Sequence, residues 1–371
     1  MSELLLVMVL GLIGPMLAAP RRFGVPVAVG ELLAGVVFGD SGLKIIDVTQ
    51  PNLHLLSQIG FALVMMVTAS HINIKAVSKS KVVAVAARDV LSVALFAAAV
   101  AAGAVWLTGQ GQNFGLYTVI LASSSAAVVL PIFASGTDSK EPSLERFITQ
   151  VTLADLAAIV ALPIVGGSGD WVRVGEGALA VSAAATGIYL LLKWAQHSGV
   201  WKRARKFSAL HGLGLELRLS LILLLGLIML AQSFSVTIMI AGFGLGLAIA
   251  ANGMPRRLAK QLFAVSEGLF SPIFFVLLGA GINVTAMAGS PSLIGLALLL
   301  GLGAIAAHLA PVLFGSKPLL AVASSAQLGV PAAAVSIGLA NHSMNAGQAA
   351  AVMLAALITL AATAIAAAAK K

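Results

Sequence analysis

Asp155 is the residue whose type and position could do chemistry in this chain. It sits near the middle of Phe147–Pro163, FITQVTLADLAAIVALP, which is apolar and long enough to help cross a bilayer. Of the 13 acidic residues, only Asp155 and Glu31 fall near the centre of an apolar segment; the rest lie in loops or near segment ends. A carboxylate at bilayer depth costs about 3 kcal/mol or more to insert. Two readings are open: a cation- or proton-binding site within the membrane, or a protonated acid satisfied by a neighbour on its helix. Two other segments share an unusual pattern in mid-span. Ser123, Ser124 and Ser125 precede Pro131, and Ser324, Ser325, Gln327 and Gly329 precede Pro331. Proline removes a backbone donor and clashes with the preceding turn, so both segments are expected to break there. Broken ends at membrane depth are tolerated where they line a cavity. The alternative is a pair of Pro-kinked helices packed through small residues.

The elements that must position these residues are apolar throughout. The 371 residues are 60% hydrophobic and 9% charged, against roughly 25% charge in a soluble domain. The chain is therefore an integral membrane protein. It has no cysteine, which excludes disulfides, thiolate metal sites and cysteine nucleophiles. No His/Asp/Glu spacing fits a zinc site, and no phosphate-cradling loop is present, so ATP drive and a cofactor are not expected. The first apolar stretch lacks a basic leader and is followed by Arg21 and Arg22, so it reads as a retained helix. The chain ends at Lys370-Lys371 straight after an apolar stretch, and no soluble regulatory domain is expected.

Thirteen apolar segments are expected, near 2–19, 24–39, 53–71, 84–107, 115–135, 145–166, 175–195, 213–231, 234–251, 262–282, 290–313, 318–340 and 346–369. The odd-numbered connections and the tail hold 19 of the 22 Lys and Arg; Lys44 and Arg173 are on even connections, and Arg88 lies near a segment end. Positive residues stay cytoplasmic, which predicts an outside N-terminus and a cytoplasmic C-terminus. It also explains the net charge of +9 without nucleic acid.

Segments seven apart match. SSAAVVLP (Ser124–Pro131) corresponds to SSAQLGVP (Ser324–Pro331). Gly60-Phe61 leading to Ile72-Asn73-Ile74 corresponds to Gly268-Leu269 leading to Ile282-Asn283-Val284. Gly35 and Gly246 hold the same place in segments two and nine. Seven is odd, so the halves face opposite ways: an inverted repeat, as in secondary transporters.

LGLIGPMLAAPRRFGVPVAVGELLAGVVFGDSGL (10–43), GFALVMM (60–66), SSSAAVVLP (123–131), the Asp155 helix and SPIFFVLLGAGINV (271–284) resemble the monovalent cation:proton antiporter superfamily. The nearest branch holds the Kef-type potassium efflux systems and bacterial sodium/proton antiporters. The resemblance implies an all-α polytopic membrane protein of 13 transmembrane helices, with two six-helix inverted repeats and crossed broken helices. It implies one membrane transporter domain over 1–371. Scaffold and dimer helices would lie at about 1–74 and 213–284, mobile core helices at about 82–166 and 290–369, and a linker helix at about 175–195. Asp155 would be the essential carboxylate, for which protons and Na⁺ or K⁺ compete during alternating access. A homodimer in a bacterial-type inner membrane is implied as well.

The sequence departs from that pattern. Ala154 stands where these antiporters usually place Asp, Asn or Gln, so an oxygen ligand is missing. Thr152, Gln150, Ser124, its neighbour Ser125 or a carbonyl at the crossover could complete the ion's ligands. No Lys or Arg lies in the eleventh segment; His308, in AIAAHLAP, stands about where a buried base would be. Its imidazole can titrate near physiological pH, which would make it a pH-sensing or charge partner, or it can serve as a core hydrogen-bonding group. Ser70-His71 replaces a Glu-Leu pair, and Gln327-Leu328-Gly329 lacks the acid of the twelfth-segment motif. Glu31 is either a structural carboxyl or part of an ion pathway. Arg88 and Asp89 read as an interfacial pair. The functions left open are a Na⁺ or K⁺/proton antiporter, a proton-coupled transporter of another solute such as an organic anion, and an ion channel. None of them is an enzyme.

Overall fold

The computed structural model describes residues 2–19, 26–48, 50–70, 80–109, 111–133, 141–166, 171–234 and 236–369. His71, the Ile72-Asn73-Ile74 run, Arg21 and Arg22 lie outside the described residues. Among those described there is no strand. The helices are α1 (Ser2–Gly11), α2 (Ile13–Ala18), α3 (Val27–Phe38), α4 (Pro51–Ser70), α5 (Ser80–Thr108), α6 (Phe114–Ala122), α7 (Ala126–Phe133), α8 (Pro142–Gly166), α9 (Trp171–His197) and α10 (Val200–Leu210). They continue with α11 (Leu215–Ser233), α12 (Ile238–Ala251), α13 (Arg256–Val265), α14 (Ser271–Ala280), α15 (Val284–Ala288), α16 (Pro291–His308), α17 (Pro318–Ala323), α18 (Gly329–Ala340) and α19 (Ala346–Ala369).

Among the described residues, eight helical stretches are long and apolar enough to cross a bilayer: 51–70, 81–108, 142–166, 172–197, 215–233, 256–288, 291–314 and 346–369. Shorter apolar helices lie at 3–18, 27–38, 238–251 and 329–339. Side chains such as Leu91, Leu95 and Trp106 on α5 point outward. In a membrane protein, outward apolar side chains meet lipid rather than water.

The chain forms two compact units. Unit 1 comprises Met1–Thr49, Lys75–Ser168 and Phe275–Lys371, and unit 2 comprises Gln50–Ile74 and Gly169–Phe274. In unit 2, α4 packs most extensively on α12. A Cβ at Gly242 would lie 2.1 Å from the Ala62 carbonyl oxygen, and one at Gly246 2.3 Å from that of Met66. Two glycines one turn apart thus bring two backbones together, which is how helices associate where lipid removes the hydrophobic drive. In unit 1 the same device joins α3 to α14: a Cβ at Gly35 would lie 2.1 Å from the Val276 carbonyl oxygen. Gly35 and Gly246 are the glycines matched by the internal repeat, and each meets the carbonyl of a helix from the opposite half of the sequence. Gly246→Val should therefore lower stability by roughly 1–3 kcal/mol or more through overpacking. It should read as a lower melting temperature in detergent; an unchanged melting temperature would contradict this contact.

Candidate ion site at the helix crossover

Two helices are interrupted in unit 1, and the interruptions meet. α6 ends at Ala122 and α7 starts at Ala126; α17 ends at Ala323 and α18 starts at Gly329. The Ser125 N–H donates to the Ala326 carbonyl at 2.7 Å, and the Ser124 hydroxyl donates to the Ser324 carbonyl at 2.6 Å. Gln327 Nε2 donates to the carbonyls of Leu121 (3.2 Å) and Ser123 (3.3 Å). The residue types follow from the backbone's needs. A broken helix leaves its last carbonyls without intrahelical partners, and in an apolar medium each must find a donor. Ser123, Ser324 and Ser325 supply hydroxyls to the carbonyls of Ile120, Ala321 and Val322 at 2.7–2.8 Å. Thr363 on α19 reaches the Ala323 carbonyl at 3.3 Å.

The breaks do not lie at the prolines. Pro131 falls within α7, downstream of Ser123–Ser125, and Pro331 is the third residue of α18. In a first helical turn the backbone N–H has no intrahelical acceptor, so proline costs little there. The serine runs and Gln327 make the interruption, and Pro331 helps restart the helix after it. Gly329 is the first residue of α18, where the chain turns from the extended break into the helix.

Asp155 projects from α8 to this crossing. It is 6% exposed, and its Oδ2 accepts from the N–H of Ala126, the first residue of α7, at 3.2 Å. A carboxylate at that place also meets the positive end of the half-helix. Among the described residues, Oδ1 has no hydrogen bond. Thr152, one turn earlier, is buried and donates to the Ile148 carbonyl at 2.8 Å. Gln150 is also buried, but it lies roughly 140° round the helix from Asp155. Ser124 and Ser125 directly precede Ala126, so their oxygens come to the crossing with it. Ala154 is buried and adds no oxygen.

His308 ends α16 and is 1% exposed. Its Nδ1 lies 2.9 Å from the Ala304 carbonyl, which requires the proton on Nδ1. Nε2 is buried and has no hydrogen bond among the described residues, although the imidazole also faces the Ser123 backbone at the crossing. In this conformation His308 is not hydrogen-bonded to Asp155, whose polar contact is Ala126. Glu31 is buried in α3, and its Cγ packs on Gly14 of α2, where an added Cβ would come within 2.6 Å. Neither Glu31 nor His308 is joined to Asp155 by a hydrogen bond.

A second charged site was only half legible. Asp89 on α5 is fully buried and meets Arg88 at 3.2 Å, but its main partner is Arg146 at the start of α8. Arg146 Nε lies 2.6 Å from Oδ2, and Nη2 lies 2.8 Å from Oδ1. Arg146 Nη1 also donates to the Phe314 carbonyl at 3.2 Å, and the Arg88 guanidinium sits 4.6 Å from the centre of the Phe314 ring. This cluster fixes the start of the Asp155 helix to α5 and to the turn that leads into α17. The sequence signal was an acid in the first turns of the apolar run of α5, which needs a cation once packing buries it.

A profile of the family described as "Sodium/hydrogen exchanger, transmembrane" matches residues 5–369. The chain belongs to the sodium/hydrogen exchanger family. Among curated proteins it is similar to "Putative Na(+)/H(+) antiporter YjbQ" of Bacillus subtilis (strain 168), with 26% identity over 176 residues. That match covers 44% of this chain and 28% of the relative, so this exchanger-family chain is matched to little more than a quarter of the relative's length. Among solved structures it is similar to the sodium proton antiporter MjNhaP1 from Methanocaldococcus jannaschii, with TM-score 0.66 and 19% identity over 99% of this chain and 95% of that one. The exchanger-family chain therefore has the antiporter fold.

Proposed function

We propose that the chain is a secondary active transporter that exchanges a monovalent cation, Na⁺ or K⁺, for protons by alternating access, with Asp155 as the site both ions share. The observation that carries the reading is the buried Asp155 carboxylate held on the first N–H of a broken half-helix at the crossover. One oxygen is anchored by Ala126; the other is available to a proton or a cation. An alkali cation needs several oxygen ligands. A hydroxyl that donates to a carbonyl keeps its lone pairs, so Thr152 and Ser124 can donate their protons and still face a cation, and the Ser125 hydroxyl can join them. Protonation of Asp155 removes the charge that attracts the cation, which makes the two ions mutually exclusive.

The family match and the fold similarity support this reading. The proposed core at about 82–166 and 290–369 falls in unit 1, whereas the proposed scaffold at about 1–74 and 213–284 draws on both units. A homodimer in a bacterial-type inner membrane, with the N-terminus outside and the C-terminus cytoplasmic, belongs to the same proposal.

Reconstituted proteoliposomes with an internal pH dye test it. Dissipation of a pH gradient on adding Na⁺ or K⁺ is the expected result. A response to organic solutes alone would favour the solute transporter, and current without proton movement would favour a channel. Ala154→Asn should raise apparent cation affinity in this assay about fivefold, as expected for one added polar contact of about 1 kcal/mol. An unchanged constant would mean that the ligands are completed without position 154.

A further inference from the structure

We infer that unit 2 carries a binding site for an anionic phospholipid, with its headgroup at the basic residues of α10 and α13 and its acyl chains against the apolar groove and apolar side chains beside them. The groove is lined by Leu192, Gln196, Trp201, Leu223, Asn252 and Leu258, among others. Its polar walls are already engaged: Gln196 Nε2 donates to the Asn252 carbonyl at 3.1 Å, and Asn252 Nδ2 to that of Ala248 at 2.9 Å. It therefore offers apolar surface to an occupant. The rim is basic. Lys202, Arg203 and Lys206 on α10 and Arg256, Arg257 and Lys260 on α13 are all exposed, and none forms an ion pair among the described residues. Arg205 differs, because Glu216 neutralises it at 2.7 Å.

The same helices expose apolar side chains: Val200, Phe207 and Leu210 on α10, and Phe263 on α13. A nucleic acid or an acidic soluble protein would match the charge and leave these side chains in water. A bilayer interface matches both. α10 joins α9 to α11, two helices long and apolar enough to span, so it lies where a span ends. Exposed Trp194, near the end of α9, is a residue type that favours headgroup level. Surface helices mixing Lys and Arg with Phe and Leu settle at the boundary between headgroups and acyl chains, and basic clusters there recruit anionic lipid. The inference rests on the membrane assignment and is independent of the ion transported.

The test uses the full chain purified in uncharged detergent and titrated with palmitoyl-oleoyl phosphatidylglycerol. The readouts are melting temperature and native mass spectrometry. The expected result is a saturable rise in melting temperature with retained lipid, and little rise with phosphatidylcholine of the same chains. The variant Arg203→Gln/Lys206→Gln/Arg257→Gln should melt like the parent without lipid and lose most of the phosphatidylglycerol effect. Equal stabilisation by phosphatidylcholine, or a full response in the variant, would overturn the inference. So would an equal rise with inorganic phosphate alone, which would mark a free-anion site. Lipid-independent self-association lost in the variant would also overturn it, because a second copy would then be the occupant.

Discussion

Asp155→Asn should reduce cation-driven proton exchange to the level of protein-free liposomes while the chain still inserts and folds. Asparagine keeps the volume and can accept the Ala126 N–H through its amide oxygen, so the crossover hydrogen bond survives. It carries no charge to attract a cation and no group that titrates in the working range. Removing a carboxylate from a buried position also removes the cost of desolvating it, so the melting temperature should hold or rise. Loss of exchange with retained stability separates an ion ligand from a structural acid. A structural acid would give the reverse: impaired folding, and exchange surviving in whatever protein folds.

The second large effect is expected far from the crossing. Arg146→Met should lower stability by about 3–5 kcal/mol, because it leaves a buried acid without its principal cation. Asp89 is fully buried, and only Arg88, itself half exposed, would remain to face it. The melting temperature in detergent measures the loss. Asp89→Asn in the Arg146→Met background should recover much of it, since the cost lies in the unpaired charge. Arg146 lies nine residues before Asp155 on α8, about 14 Å along the helix axis. The variant should therefore also reduce exchange while leaving the cation ligands in place. Near-parental stability in Arg146→Met would show that Arg88 alone satisfies Asp89.

Local signals explain what the sequence disclosed. Apolar runs punctuated by basic connections marked a polytopic membrane protein, because the insertion energetics act on each segment separately. The matched Ser-Ser-Ala motifs located both interrupted helices, and the matched Gly35 and Gly246 turned out to make equivalent close backbone contacts in the two units. Asp155 was legible because a carboxylate within an apolar run is rare. What the sequence obscured depends on tertiary partners. The prolines pointed to the right helices and the wrong residues: the interruptions fall at the serine runs, and beside the local serine hydroxyls part of the satisfaction of the freed carbonyls comes from Gln327 and Thr363, distant in sequence. The Arg146–Asp89 pair spans 57 residues, and the adjacent Arg88 offered a plausible local partner that is the weaker of the two. Gln150 and Thr152 looked alike as candidate ligands in the linear sequence; helical geometry places Thr152 closer to the face of Asp155.

The central claim is that one carboxylate serves proton and cation in turn, and it is tested most directly by the pH dependence of cation affinity in the reconstituted protein. Competition for Asp155 requires the apparent dissociation constant for Na⁺ or K⁺ to rise by roughly tenfold for each unit by which pH falls, wherever the site is mostly protonated, with cation addition releasing protons from the protein. An apparent affinity that stays constant as pH falls, or cation binding without proton release, would contradict a shared site at Asp155.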